Sequence, residues 1–268
     1  MYGALYNIVV KIISRIMTNL MRPILMDINS ENQSAFLPGR MISDNILIAH
    51  EVLHFINHSK SVKNVNMPIK LDMSKAYDRV EWYFLEAIML KMGFCRRWVD
   101  WIMCLVSKVS YSFLINGVPK GFVRPTMGIR QGDPLSPYLF LICAKGLSSM
   151  IREAELMKSL SGIKISRESP SISHILFVDD TIIFGKASRN EGAEIMRILK
   201  DYKEASDQNV NIGKCPLSFS PRTGQDTRHE ILNIMGMREV KDQGKYLGLP
   251  LQVGRTKKEI FPLHSGQT

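Results

Sequence analysis

Apolar and polar positions along this chain follow two periods, and the switches between them mark out its elements. From Leu5 to Leu25, "LYNIVVKIISRIMTNLMRPIL" carries apolar residues at helical spacing, and Pro23 predicts the helix's end. "NQSAFLPGR" reads as a loop with a Pro38–Gly39 turn, after which Ser43 or Asp44 can cap a helix through "NILIAHEVLHFI". Past the polar stretch Ser59 to Asn66, "MPIKLDMSKAYDRVEWYFLEAIMLKMGF" predicts a short strand, a turn and an amphipathic helix. That helix has Phe84, Ile88 and Met92 four residues apart and Gly93 to end it. "RRWVDWIMCLVSK" predicts another helix, and "YSFLINGVPKGFV" alternates about Asn116–Gly117, a strong hairpin signal. "GIRQGDPLSPYLFLICAKGLSSMIREAE" is a loop entering a long helix, with Ser136 as cap and Pro137 as first residue. "GIKISR" predicts a strand, "HILFVDDTIIF" a hairpin and "EGAEIMRILKDYKEA" a helix. Helices and non-adjacent strands alternate irregularly, which argues an α+β fold.

Within that pattern one hairpin raises a chemical question. Asp179 and Asp180 stand side by side among apolar and β-branched residues, where their mutual repulsion is costly. A polar turn in solvent accounts for them; so does a divalent cation held against the pair. "IKLDMSKAYD" puts a third acid, Asp72, at the end of a predicted strand. Two such elements laid side by side would gather three carboxylates into a hard-oxygen site suited to magnesium. A pair of such ions can activate a hydroxyl and stabilise a leaving pyrophosphate.

Charge narrows the choice of partner. The formal net charge is +10, which suggests a polyanion, nucleic acid before an acidic membrane. From Lys91 to Arg130 seven basic residues (Lys91, Arg96, Arg97, Lys108, Lys120, Arg124, Arg130) face one acid, Asp100, with aromatics mixed in. Cys95, Cys104, Cys143 and Cys215 have no C-x-x-C spacing and apolar neighbours, which fits buried free thiols better than a disulfide framework or a zinc ribbon. No uncharged apolar run nears the roughly 18 residues a span requires, and the N-terminus lacks signal-peptide features. The expectation is an intracellular protein, in nucleus or cytoplasm. "HEVLH" matches the H-E-x-x-H zinc-protease signature through His50, Glu51 and His54, but the longer extensions are absent and an exposed helix edge explains it equally.

Five segments occur in the order and approximate spacing of reverse transcriptases: "LDMSKAYDRVEW", "GIRQGDPLSPYLFLICA", "FVDD", "ASDQNVNIGKC" and "KYLGLPLQVGRTK". The chain resembles in particular those of non-LTR, LINE-type retrotransposons of plants, and "ENQSAFLPGRMISDNILIAHEVLH" looks like that family's fingers. The resemblance implies a right-hand polymerase of fingers, palm and only the start of a thumb. Residues 1–66 would be partial fingers, 67–214 palm with inserted fingers elements, and 215–268 the end of the palm, a primer-grip-like hairpin and a truncated thumb. It implies an RNA-directed DNA polymerase using two magnesium ions, or manganese, with an RNA template, a DNA primer and deoxynucleoside triphosphates.

Carried onto this sequence, Asp72, Asp179 and Asp180 would be the catalytic acids of the metal site, Asp72 and Asp179 holding the ions with the carbonyl of Met73 and Asp180 completing the set beside them. Tyr77 would wall off a 2′-hydroxyl, which argues against an RNA-templated RNA polymerase, and Gln131 and Gly132 would line the nucleotide and template side. Lys214 would approach the triphosphate, and Tyr246, Leu247 and Gly248 would hold the primer end. Four departures stand out. The family's "RPIS"-like segment and its phosphate-binding arginine do not precede Leu5, Val178 replaces alanine, Asp207 replaces glycine, and the resemblance fades after Lys258. The sequence is also compatible with a relic that only binds nucleic acid.

Overall fold

The computed structural model describes residues 8–28, 33, 35–36, 39–178, 180–241 and 244–250. Its centre is a five-stranded sheet of β1 (Asn66–Leu71), β4 (His174–Phe177), β5 (Asp180–Lys186), β6 (Pro216–Leu217) and β7 (Arg238–Glu239), in the order β4-β5-β1-β6-β7. Between β1 and β4 run helix α3 (Trp82–Lys91), α4 (Arg96–Ser107), the hairpin β2 (Tyr111–Ile115) and β3 (Val118–Val123), and α5 (Ser136–Leu156). Helix α6 (Arg189–Ser206) joins β5 to β6, and α7 (Gln225–Met235) joins β6 to β7. With α5 and α6 as crossovers, β4, β5, β1 and β6 make a split β-α-β unit of antiparallel pairs, and β7 adds to β6 in parallel. Helices α1 (Ile8–Ile28) and α2 (Ile42–His58) precede it, and a small hairpin of β8 (Lys245–Tyr246) and β9 (Leu249–Pro250) follows.

The sheet's two faces are buried differently, as alternation along each strand requires. Met67, Ile69 and Leu71 of β1 and Ile183 of β5 pack against Leu147 and Ile151 of α5 and Ile195, Ile198 and Leu199 of α6. On the opposite face Ile175, Ile182 and Phe184 meet Ala49, Val52, Leu53 and Ile56 of α2 and Tyr246 of β8. The α2 cluster covers the β4–β5 side of that face. Lys70 and Asp72 stay partly or fully exposed at the sheet's end.

Several local expectations shift for physical reasons. Helix α1 does not stop at Pro23 but runs to Ile28, because Pro23 lies on its exposed side while Met21 and Leu25 are wholly buried. Asp44 caps α2 from its third position, its carboxylate accepting from the Met41 amide. Ser136 is the first residue of α5 rather than its cap, and the Asp133 carboxylate takes the free Leu135 amide instead. In α3 the wholly buried pair is Leu85 and Met89; Phe84, Ile88 and Met92 flank it half-buried. "GIKISR" contributes only the single bridge Ile163 to Ile172, since Ser166 and Ser169 hydrogen-bond each other across the intervening loop. All four cysteines are free, but only Cys143 and Cys215 are buried; Cys95 and Cys104 lie off the Val99–Ile102–Val106 stripe of α4 and face solvent. No helix among the described residues is long and apolar enough to cross a membrane.

Candidate active site

The ladder between β1 and β5 points Asp72 and Asp180 toward the same end of the sheet. It pairs Asn66 with Lys186 and ends at Leu71 opposite Thr181, so one further step of the same register would set Asp72 opposite Asp180. Directly opposed residues of an antiparallel pair lie about 4.5–5.5 Å apart at Cα. Asp72 follows the last residue of β1 and is exposed, and its backbone is pinned from the other side. Its amide reaches Cys215 Sγ at 3.3 Å and its carbonyl accepts from the Asn211 amide at 2.9 Å. Burial pushes the Cys215 thiol up to about 11, so it stays a neutral acceptor. Met73 follows in a bridge with Val210.

β4 and β5 pair as far as Phe177 opposite Asp180, leaving a two-residue connection. Val178 takes φ 55°, a left-handed value that β-branched residues adopt at a cost. Asp179 lies outside the described residues. The Asp180 carboxylate is 3.6 Å from Lys70 Nζ, with both side chains partly exposed. Lys70 also donates to the Lys245 carbonyl at 2.6 Å. Sequence reading passed over Lys70; its signal was a lone cation in an apolar strand, two residues before Asp72 and hence on the same face.

Tyr77 is set in a rigid stack. Its ring lies 5.1 Å from that of Phe140 with 6° between the planes, and its carbonyl accepts from the Ile129 amide. With Gln131, Gly132, Asp133, Pro134 and Pro137 it lines an open pocket of about 470 Å³. Gly132 adopts φ +86°, which suits glycine alone. The pocket also receives Arg15 from α1, a residue that sequence reading did not single out because nothing local marks which α1 residue faces the "RQGDP" loop. α1 is held there by Ser14, whose hydroxyl donates to buried Asp133 at 3.4 Å.

The remaining candidates are more dispersed. Lys214 is exposed on a short 3-10 turn (Ile212–Lys214), and its amide bonds the Asn211 carbonyl, two links from Asp72. Leu247 and Gly248, at φ 51° and 84°, form the β8–β9 turn, and Tyr246 is wholly buried. Burial, and then the Asp180 charge, push the Tyr246 hydroxyl's pKa up, so it remains protonated. Asp207 occupies φ 52° at the end of α6, which explains why a related chain would carry glycine there. It faces Arg79 at 3.7 Å.

The basic run divides in two. Arg130 turns inward, donating to the Leu105 carbonyl and facing Asp133, and Arg96 is paired with Glu86 and Asp100. Arg97, stacked over Trp101 at 5.1 Å, and Lys108, Lys120, Phe122 and Arg124 form the exposed part. His50, Glu51 and His54 share α2, but His54 stacks on His58 at 4.0 Å. Among the described residues no three His, Cys, Asp or Glu side chains group to hold a metal. For the zinc reading that means a third ligand is missing. For the acids it covers two of the three, Asp179 being outside the description.

The split β-α-β sheet thus carries Asp72 just past the end of its central strand and Asp180 at the start of the adjoining β5. Residues 2–251 match the family described as reverse transcriptase (RNA-dependent DNA polymerase), and the chain belongs to it. It is 55% identical over 69 residues, 26% of its length, to an uncharacterized mitochondrial protein of Arabidopsis thaliana, covering 57% of that protein. It is 25% identical over 210 residues to the uncharacterized 149 kDa protein of transposon TX1 from Xenopus laevis, covering 76% of this chain and 15% of that protein. Pol polyproteins of R2 retrotransposable elements from Nasonia vitripennis and Drosophila melanogaster match as well, which bears out the kinship to non-LTR retrotransposons. A solved telomerase structure from Candida albicans superposes with a TM-score of 0.50 at 15% identity, over 78% of this chain and 34% of that one, which supports the polymerase fold. The chain thus spans only part of the length of each of these proteins.

Proposed function

We propose that the chain is an RNA-directed DNA polymerase domain of retrotransposon origin, which extends a DNA primer on an RNA template. The observation that supports this reading is the β1–β5 register, which ends at Leu71 opposite Thr181 and so points Asp72 and Asp180 toward the same end of the sheet. Carboxylates reaching solvent at one end of a sheet are hard-oxygen donors of the kind magnesium takes, so the residues fit the metal that the family uses. Asp72 and Asp179, with the Met73 carbonyl, would be its ligands and Asp180 their neighbour. When bound, a magnesium pair would activate the primer's 3′-hydroxyl and neutralise charge on the leaving pyrophosphate.

The protein's own groups supply the rest. The Tyr77 ring, backed by Phe140, is a flat wall against which a ribose 2′-hydroxyl would clash, favouring deoxynucleotides. Gln131 and Gly132 line the same pocket for the incoming nucleotide and template, and Arg15 adds a cation for phosphates. Lys214 approaches the triphosphate, and Tyr246, Leu247 and Gly248 hold the primer end. In this reading residues 1–66 act as fingers, 67–214 as palm with inserted fingers elements, and 215–268 as the end of the palm, the primer-holding hairpin and the start of a thumb.

The test is primer extension on poly(rA)–oligo(dT) with magnesium and dTTP, beside an Asp179→Ala, Asp180→Ala double variant. The expected result is incorporation by the natural chain and none by the variant. A second reading, nucleic-acid binding without synthesis, is favoured by exposed basic and aromatic residues on two elements, Arg97 over Trp101 on α4 and Lys120, Phe122 and Arg124 at the β2–β3 hairpin. Salt-sensitive duplex binding with no incorporation would select it.

A further inference from the structure

Clustered carboxylates at the end of a sheet repel one another, and the protein already holds a cation among them. Lys70 stands on the same face of β1 as Asp72 and opposite Ile182, one diagonal step from Asp180. Its ammonium lies 3.6 Å from Asp180 Oδ1 and donates a 2.6 Å hydrogen bond to the Lys245 carbonyl. One side chain therefore touches three elements: the central strand, the acid-bearing hairpin and the β8–β9 hairpin.

We propose that Lys70 is a positioning residue that clamps the Asp180 carboxylate to the backbone of the β8–β9 hairpin, fixing where that hairpin stands over the acids. The functional consequence rests on the polymerase reading above; the clamp itself does not. β8 and β9 pair through only two residues each, too little to hold a hairpin in place by itself. The buried Tyr246 ring and Leu247 seat it on the core cluster of α2, β4 and β5, and the Lys70 ammonium holds the backbone of Lys245. Side chains as exposed as Lys70 and Asp180 add little to global stability, so the pair's role is local placement. In the polymerase reading this holds Asp180 beside the proposed metal ligands.

The experiment compares the full chain with Lys70→Met, which keeps the aliphatic stem, and Lys70→Arg, which keeps the charge. In hydrogen–deuterium exchange, Lys70→Met should speed exchange over residues 244–250 by about ten-fold, leave β1 and β5 unchanged, and be reversed by Lys70→Arg. In primer extension Lys70→Met should raise the KM for primer–template several-fold while the KM for dTTP stays within about two-fold, again with recovery in Lys70→Arg. Unchanged exchange in the hairpin overturns the clamp whatever the polymerase assay gives, and so does exchange that rises across the whole sheet. Selective loosening in a chain whose natural form incorporates no nucleotide sustains the clamp and counts against the polymerase reading instead.

Discussion

His174, the first residue of β4, should make this fold acid-labile well above the range in which most carboxylates titrate. It is almost wholly buried in a chain of hydrogen bonds. The Ser173 hydroxyl donates to Glu155 Oε2 at 2.7 Å and so accepts from His174 Nδ1 at 2.9 Å. Nε2 is left to accept from Ser148 Oγ at 2.8 Å. Burial, and then the charges of Lys145 and Arg152 on α5, lower the imidazole pKa from 6.5 to about 3. The folded chain therefore keeps His174 neutral at a pH where the unfolded chain protonates it. The stability this contributes is complete above pH 6.5 and is lost as pH falls toward 3. At pH 4.5 the difference amounts to about 3 kcal/mol, from 1.36 kcal/mol per pH unit. The assay is urea unfolding at pH 7.0 and 4.5 for the natural chain and for His174→Gln, which keeps polar contacts but cannot titrate. The natural chain should lose about 3 kcal/mol more than the variant between the two pH values, a midpoint difference of about 1 M urea for a chain of this size. Equal losses in both proteins would refute the argument, since carboxylates common to both would then explain the whole effect.

Other consequences are more local. Gly128 has φ +89°, and a Cβ there would sit 2.8 Å from the Asp78 carbonyl; Gly128→Ala should cost about 1–3 kcal/mol in thermal unfolding. Asp207→Gly relieves a left-handed aspartate at φ 52° and gives up only an exposed pair with Arg79, so it should leave stability unchanged or raise it by up to about 1 kcal/mol in the same assay. Tyr77→Ala removes the wall over Phe140, and the preference for dTTP over UTP in primer extension should fall on the order of ten-fold.

Much of this architecture could be read before any coordinates because particular residues leave little choice. Asn116–Gly117 permits two successive positive φ values, and the structure puts them at 51° and 79° in the β2–β3 turn. The alternation in "HILF" and "TIIF" buries Ile175, Ile182 and Phe184 on one face, so that hairpin had one register open to it. What stayed hidden depends on distant packing. Pro23 reads locally as a stop, yet Met21 and Leu25, both buried against the body of the protein, carry α1 past it. Arg15 is one of many polar residues on an amphipathic helix until the "RQGDP" loop is laid against it. Lys70 acquires a role only when Asp180 and Lys245 arrive from elsewhere in the chain.

The ladder between β1 and β5 also sets the order in which the protein can be assembled. Its strands are separated by roughly a hundred residues of intervening chain, so closing that loop costs entropy that no local contact returns. A nascent chain therefore carries β1, with its apolar Met67, Ile69 and Leu71, unpaired until β5 has been synthesised. Over that interval the strand is a sticky edge, and pairing across so long a loop is slow, so the acids meet only after that non-local closure.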